Sequence, residues 1–259
     1  MSDPTPSAGA NRFRWFELQT TDAAAAEAFY CAVVGWRAEH LGPQPQGYTT
    51  FNTAKGGVAG MMTLGAGEGP ARWIGYIAVE DVDAYVEKIK AAGGSQRQPT
   101  VDVPDMLRFA GVADPQGTAF VVFKGTSPEG PPTGTAEDIG YVGWHELLAN
   151  NGAEAFDFYS SLFGWTKTSV FDMGPMGAYQ MWTDGRGSDA GAMMTRSPDT
   201  PGPIWNYYLQ VDSIEAAKAR VEAAGGIVTN GPHQVPTGVW ILQGTDPQGA
   251  AFSLLSSKK

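Results

Sequence analysis

The alternation of apolar and polar residues predicts one series of strands and helices that occurs twice along the chain. Period-two patterning indicates an opening strand at 13–20 and again at 142–149. A helix should follow each strand, with Asp22 or Asn151 as its N-cap. Two strands, a third strand, a second helix and two final strands complete each copy. In the first copy, the later strands are expected at 48–53, 58–63, 73–79, 107–112 and 119–123, with a helix capped by Asp81 after the third of them. In the second copy, they are expected at 178–183, 190–195, 205–211, 239–244 and 251–255, with a helix capped by Ser213 after the third of them.

Residue identities recur with the same period. The offset between matching residues is 129, and it becomes 132 after a three-residue insertion near 172–176. The matches include Trp15 with Trp144, Phe29-Tyr30 with Phe158-Tyr159, Gly35-Trp36 with Gly164-Trp165, Met61-Met62 with Met193-Met194, Trp73 with Trp205, and the sequence Asp-Pro-Gln-Gly at 114–117 and 246–249. A period of about 120 residues indicates a duplicated domain. We therefore predict a disordered tail at 1–11, a first module at 12–124, a linker at 125–138 and a second module at 139–256.

This element order, the Phe-Tyr pair before Gly-Trp and the Asp-Pro-Gln-Gly turn resemble the vicinal oxygen chelate superfamily. Its members include glyoxalase I, extradiol dioxygenases, and the bleomycin and fosfomycin resistance proteins. The resemblance implies an α+β fold in which tandem βαβββ modules form curled mixed sheets around a ligand-binding cleft, as in glyoxalase.

The resemblance also implies three metal-ligand positions in each module, usually filled by His, His or Gln, and Glu. By alignment these positions hold Trp15, Ile74 and Val121 in the first module, and Trp144, Asn206 and Ser253 in the second. None is a strong ligand. Only His145 of the three histidines lies on a candidate ligand strand, and alternation turns it away from Trp144 and Glu146. We expect no metal cofactor, with one divalent ion as the alternative.

If Trp15 marks the ligand face, alternation gives each cleft aromatic walls and a few polar groups, as in small-molecule sites. The candidate catalytic residues are Glu146 and Glu17, whose pKa values should rise if burial removes water. The candidate ligand-binding residues are Trp15, Tyr76, Trp144, Asn206, Tyr208, Gln210 and Ser253. The alternative interpretation is structural, with the tryptophans filling cores and the glutamates bonding to backbone.

Differences between the copies favour the second module as the working site. It carries Asn206, Gln210 and Ser253 where the first module carries Ile74, Ala78 and Val121. The segment 171–177, where the insertion falls, contains two glycines that would allow it to act as a mobile lid.

Composition and charge limit the classes of molecule that we expect the protein to bind. A net charge of −10 without a Lys/Arg cluster argues against nucleic acid, and the chain has no apolar run long enough for a membrane span. A single cysteine, Cys31, favours a reducing, cytoplasmic location. The expected partner is a small apolar or aromatic metabolite, and the chain is expected to be a monomer or a homodimer.

Three functions follow from these features. The first is metal-independent small-molecule binding, with or without acid–base chemistry by Glu146 or Glu17. The second is a metal-dependent glyoxalase-like lyase or dioxygenase that uses Glu17, Glu146 and His145 as ligands. The third is a non-catalytic sequestration or regulatory protein.

Overall fold

A computed structural model describes residues 10–42, 47–126, 135 and 138–259. The strands form one nine-stranded and one eight-stranded mixed sheet, and the same part of the chain contains four α-helices. Most of the predicted tail and linker lies outside the described residues. The expected α+β architecture of two repeated modules with curled mixed sheets is confirmed.

The first module contains eleven elements in the described residues. They are β1 (Arg12–Thr20), α1 (Ala23–Val34), β2 (Arg37–Leu41), β3 (Tyr48–Thr53), β4 (Gly56–Thr63), β5 (Arg72–Ala78), α2 (Val82–Ala91), β6 (Ser95–Gln96), β7 (Val101–Val103), β8 (Leu107–Ala113) and β9 (Ala119–Gly125).

The second module follows the same order. Its elements are β10 (Val142–Ala149), α3 (Gly152–Phe163), β11 (Thr166–Asp172), a 3-10 turn (Gly174–Met176), β12 (Ala178–Thr183), β13 (Gly191–Thr195), β14 (Ile204–Gln210), α4 (Ile214–Ala223), β15 (Ile227–Gln234), β16 (Trp240–Thr245) and β17 (Ala251–Ser256).

The helices begin and end where the local sequence predicts. The Asp22 side chain accepts a hydrogen bond from the Ala25 N–H, and Asn151 caps α3 in the same way. At the other end, Gly35 and Gly164 adopt left-handed conformations with φ of 85° and 71°. Glycine reaches this conformation without a steric penalty, so both helices stop at the predicted residue.

The sequence analysis predicted none of the strands β2, β6, β7, β11 and β15. All seven residues of β11 are exposed, and β2 and β15 are largely exposed. A strand that lies at a sheet edge and is exposed on both faces has no buried face to impose an apolar alternation.

The register also corrects the predicted insertion. Met181 pairs with Ala192, and at the equivalent place in the first module Thr50 pairs with Gly60. The offset between equivalent residues of the two modules is therefore 131 in β12 and 132 in β13. Two residues are therefore added before β12, and the third follows it.

The chain divides into two compact units, and each unit takes half of each module. The Tyr159 unit comprises Met1–Arg14, Gly75–Gly130 and His145–Trp205. Within it, one group of neighbouring strands has the order β5-β9-β8-β6, and β7 also pairs with β8. A second group has the order β11-β12-β13-β10. Its core is aromatic: Trp165 stacks on Trp182 at a centroid distance of 4.0 Å and on Tyr159 at 5.5 Å.

The Tyr30 unit comprises Trp15–Ile74, Pro131–Trp144 and Asn206–Lys259. Within it, β2, β3, β4 and β1 are neighbours in that order, and so are β14, β17, β16 and β15. Tyr30, Trp36 and Phe51 lie at its centre, with Trp36 and Phe51 stacked at 4.9 Å. These three residues are the counterparts of Tyr159, Trp165 and Trp182.

Each unit is closed by a tyrosine of one module that binds the Asp-Pro-Gln-Gly turn of the other. The Tyr30 hydroxyl donates to Asp246 Oδ2 at 3.1 Å and accepts from Trp73 Nε1 at 2.8 Å. In the Tyr159 unit, the Tyr159 hydroxyl donates to Asp114 Oδ2 at 3.2 Å and accepts from Trp205 Nε1 at 3.0 Å.

The other oxygen of each aspartate holds its own turn. Asp246 Oδ1 accepts from the N–H groups of Gln248 at 2.9 Å and Ala250 at 2.8 Å. Burial raises the pKa of Asp246, and these donors oppose the shift. The Phe-Tyr, Trp and Asp-Pro-Gln-Gly sequences occur in both modules, and in each unit they form the same kind of buried hydrogen-bond network.

We expect Tyr159→Phe to lower the free energy of unfolding by about 1–3 kcal/mol, because the buried Asp114 carboxylate loses a donor and the Trp205 indole loses its acceptor. Urea unfolding followed by tryptophan fluorescence measures this change. Tyr85→Phe is the control, because it removes one neutral hydrogen bond, to Asn11, and should cost about 1 kcal/mol or less. Equal costs for the two variants would contradict the role of the network.

Candidate functional site

A buried carboxylate in the Tyr30 unit is held by an aromatic hydroxyl. Glu17 on β1 is only 5% exposed. Its Oε2 accepts from the Tyr48 hydroxyl at 3.1 Å, and its Oε1 accepts from Gln19 Nε2 at 3.1 Å. The Tyr48 hydroxyl in turn accepts from Trp15 Nε1 at 2.9 Å. Burial and then the charge of Glu17 raise the pKa of Tyr48 well above its usual value, so its hydroxyl stays protonated as a donor.

Gly60 makes room for this hydrogen bond. It lies on β4, paired with Glu17 on one side and with Thr50 on the other. A Cβ at position 60 would lie 1.8 Å from the Tyr48 hydroxyl oxygen. A methyl group at position 60 would therefore collide with the phenol in the position from which it reaches Glu17.

The Tyr159 unit contains the counterpart of this pair. Glu146 on β10 is 8% exposed, and its Oε1 accepts from the Tyr179 hydroxyl at 3.0 Å. Glu146 pairs with Ala192, and Ala192 pairs with Met181, two residues beyond Tyr179. In the first module, Glu17 pairs with Gly60, Gly60 pairs with Thr50, and Tyr48 lies two residues from Thr50. The two carboxylate–phenol pairs therefore occupy equivalent positions.

The sequence analysis identified both glutamates but neither tyrosine. An offset of 132 aligns Tyr48 with Gln180, whereas the strand register aligns it with Tyr179. The signal that could have found them is the alternation within the hairpin, which places Tyr48 opposite Met62 and Tyr179 opposite Met194.

The remaining candidates of the first module lie on an apolar surface. Tyr76 is buried and contacts the rings of Phe123 and Phe109 at 5.9 and 6.2 Å. It pairs with Val121, which pairs with Gly111. The row Tyr76, Val121 and Gly111 in the Tyr159 unit therefore carries one hydroxyl and no other polar side chain.

The equivalent row of the second module is polar and lies in the Tyr30 unit. Tyr208 pairs with Ser253, and Ser253 pairs with Gln243. Gln243 Nε2 donates to the Tyr208 hydroxyl at 2.8 Å, and Gln243 Oε1 accepts from Asn230 at 2.9 Å. Tyr208 and Ser253 are buried. The sequence analysis missed Gln243, which the pairing of β16 with β17 brings beside Ser253.

The other predicted residues differ in environment. Trp15 and Trp144 are half-buried, in contrast to the buried Trp205, so they do not fill a core. Asn206 is half-buried, while Gln210 is buried. The backbone of Gln210 exchanges hydrogen bonds with Gly140 and Tyr141.

The sequence matches the family model of the Glyoxalase/Bleomycin resistance protein/Dioxygenase superfamily twice, at residues 12–122 and 139–254. The chain belongs to this superfamily. It is 34% identical over 247 residues to CFP32 of Mycobacterium tuberculosis, a glyoxylase by name, with 93% of each chain covered. It is 32% identical over 264 residues to the anthracycline biosynthesis protein DnrV of Streptomyces peucetius, covering 95% of this chain and 93% of DnrV.

Solved structures share the fold. The Mn(II)-bound glyoxalase from Novosphingobium aromaticivorans superposes with a TM-score of 0.67 at 16% identity, covering 96% of this chain and 83% of that one. The 2,3-dioxygenase LapB from Pseudomonas superposes with a TM-score of 0.67 at 13% identity, covering 98% and 94%. None of the helices among the described residues is long and apolar enough to cross a membrane.

The side chains present do not fit the metal site of the superfamily's metalloenzymes. The aligned ligand positions hold Trp15, Ile74 and Val121 in one module and Trp144, Asn206 and Ser253 in the other. Within the described ranges, no three His, Cys, Asp or Glu side chains group as potential ligands. A divalent ion needs several such donors, so we assign no step to a metal.

His145 packs in the aromatic core of the Tyr159 unit, on the opposite side of β10 from Glu146. Its ring stacks on Phe13 at 4.9 Å, and its Nδ1 lies 2.8 Å from the Ala190 carbonyl oxygen. Burial lowers the pKa of His145 to about 4. These contacts do not support the ligand set of Glu17, Glu146 and His145.

We expect Gly60→Ala to destabilise the protein by about 1–3 kcal/mol, because the new methyl group displaces the Tyr48 phenol. The cost should fall by at least half in a Tyr48→Ala background, where the clash is absent. Urea unfolding of the four proteins of this double-mutant cycle measures the coupling. Gly57→Ala is the matched control, because its Cβ would meet no atom nearer than 3.4 Å. An unchanged cost in the Tyr48→Ala background would count against the Gly60 interpretation.

His145 should make the protein less stable in mild acid. The folded-state pKa of about 4 lies below the unfolded value of about 6.5, so the unfolded state binds the proton first as pH falls. The stabilisation is complete above pH 6.5 and is lost as pH falls towards 4. Between pH 7.5 and 5.5 the loss is about 1.4 kcal/mol.

The measurement is the free energy of unfolding at these two pH values for the wild type and for His145→Gln. The difference between the pH values should shrink by about that amount in the variant. His233→Gln, at an exposed position, serves as the control. A variant with the full wild-type pH dependence would refute the assignment.

Proposed function

We propose that the protein binds a small apolar or aromatic metabolite that carries a hydroxyl group, and that Glu146 of the second module exchanges a proton with that hydroxyl. The observation that carries this proposal is the Glu146–Tyr179 hydrogen bond at 3.0 Å on a buried strand. A carboxylate that is 8% exposed has lost most of its water, so a ligand hydroxyl that donates to it would compensate for the lost hydration.

The two modules differ in the side chain that lies next to the carboxylate in the register. Glu17 accepts from both Tyr48 and Gln19. Leu148 stands at the position equivalent to Gln19, since it pairs with Met194 as Gln19 pairs with Met62. A leucine side chain donates no hydrogen bond. The more apolar neighbour favours Glu146 as the carboxylate that meets an apolar or aromatic ligand, and Glu17 as a structural one.

The chemistry requires only residues of this chain. The ligand hydroxyl donates to the Glu146 carboxylate, and in the exchange its O–H bond breaks as a new O–H bond forms on Glu146. The Tyr179 hydroxyl keeps its own proton and stabilises the carboxylate before transfer.

The relatives agree with an aromatic ligand. DnrV is named for anthracycline biosynthesis, and LapB is a 2,3-dioxygenase. A metal-dependent lyase or dioxygenase is the second candidate, because the glyoxalase of the same fold binds Mn(II). Sequestration without turnover is the third candidate, and it would use the same contacts.

We expect the purified protein to bind 2-naphthol and Glu146→Gln to weaken this binding by about tenfold or more, because a neutral amide replaces a charged acceptor. Titration of naphthol fluorescence measures the affinity. Naphthol becomes a strong acid on excitation, so transfer to Glu146 should appear as naphtholate emission that the variant lacks. Glu17→Gln is the matched control, with affinity within about threefold of the wild type.

Native mass spectrometry and elemental analysis of the freshly purified protein test the alternatives together. We expect no stoichiometric divalent metal. About one Fe, Mn, Ni or Zn per chain would overturn the proposal in favour of the metal-dependent candidate. Bound naphthol without naphtholate emission would support sequestration. Equal losses in the Glu146 and Glu17 variants would remove the preference for the second module.

A further inference from the structure

The β11–β12 hairpin (residues 166–183) gives the second module an exposed apolar surface. Phe171 at the end of β11 is 39% exposed, and Met173 and Met176 in the following turn are 37% and 54% exposed. Single exposed apolar side chains are common on protein surfaces. Here three such residues fall within six positions of the segment that leads into Tyr179.

The strand register places Phe171 on the face that carries the carboxylate–phenol pair. Phe171 pairs directly with Tyr179, and residues directly opposite in antiparallel strands project from the same face of the sheet. The same row continues through Met194 to Leu148, and the neighbouring row contains Met181, Ala192 and Glu146. Glu146 and the Tyr179 hydroxyl are therefore the polar groups of two rows that are otherwise apolar.

The equivalent rows of the first module are more polar. Leu41 pairs with Tyr48, and that row continues through Met62 to Gln19. The neighbouring row contains Thr50, Gly60 and Glu17. Gln19 and Thr50 stand where the second module has Leu148 and Met181, and Leu41 stands where it has Phe171. The turn of this first hairpin lies partly outside the described residues.

We propose that the β11–β12 hairpin is the specificity element of the second module, and that it selects a flat aromatic ligand with one hydroxyl group. The inference rests on the function proposed for Glu146. The Phe171 ring offers a stacking surface, and the thioethers of Met173 and Met176 adapt to aromatic edges. Glu146 and Tyr179 form one hydrogen-bonded carboxylate–phenol pair on this face, and that pair is the proposed contact for the ligand hydroxyl.

The experiment compares two probes, phenol and 2-naphthol, which share the hydroxyl but differ by one fused ring. Phe171→Ser should weaken 2-naphthol binding by about tenfold and phenol binding by less than about threefold, because only the larger probe reaches the hairpin. Met176→Ser should act in the same direction. Leu41→Ser is the matched control, because it alters the equivalent position of the first module, and it should leave both affinities unchanged. All three side-chain changes concern exposed positions, and circular dichroism verifies folding.

The outcomes separate this inference from the function proposed above. Loss of binding in Glu146→Gln with wild-type selectivity in Phe171→Ser overturns the hairpin inference alone. Equal effects of Phe171→Ser and Leu41→Ser also overturn it. If 2-naphthol binds and neither Glu146→Gln nor Phe171→Ser changes its affinity, both proposals fail. No binding of 2-naphthol to the wild type likewise overturns both.

A second copy of the chain is the competing occupant of the exposed edge strand β11. Native mass spectrometry of the wild type and of Phe171→Ser tests it. The same mass for both proteins is expected. A dimer that the substitution converts into a monomer, with naphthol affinity unchanged, would assign the hairpin to self-association and overturn the proposal.

Discussion

The architecture depends on a reciprocal hydrogen bond between the two copies of the module. Tyr30 of the first module binds Asp246 of the second, and Tyr159 of the second binds Asp114 of the first. Each bond is buried and each aspartate also holds its own turn through backbone N–H groups. A buried carboxylate without such donors would be strongly unfavourable. Each network therefore combines residues of both modules, because neither copy contains both partners of its own network.

This exchange leaves the opening strands of the modules free to diverge in chemistry. Glu17 and Glu146 keep the same position, and each binds a tyrosine hydroxyl. Their surroundings differ in kind: Gln19, Thr50 and Gly60 surround the first carboxylate, and Leu148, Met181 and Ala192 surround the second. On the later strands the second module is the more polar one. It has Tyr208, Ser253 and Gln243 at the positions where the first module has Tyr76, Val121 and Gly111. One fold thus carries two equivalent carboxylate–phenol pairs in unlike surroundings.

Parts of the site were predictable from the sequence and parts were not. Alternation along β1 and β10 identified the two glutamates and placed His145 on the other face, because the period of a strand is a local property. Tyr48, Tyr179 and Gln243 were missed because their roles depend on which residue of a neighbouring strand they face. The assumed offset was wrong by one residue, so it aligned Tyr48 with Gln180 instead of Tyr179. Side chains one residue apart lie on opposite faces of a strand.

The sequence by itself determined the repeat, the helix ends and the family. Caps, left-handed glycines and the Asp-Pro-Gln-Gly turns act within a few residues, so their signals survive in the linear order. The tertiary structure alone decided that each compact unit combines halves of both modules, that β2, β11 and β15 form edge strands, and that tyrosines bind the two glutamates. These features arise from pairing between distant segments, and the free energy of such pairing is set by partners that no local pattern specifies.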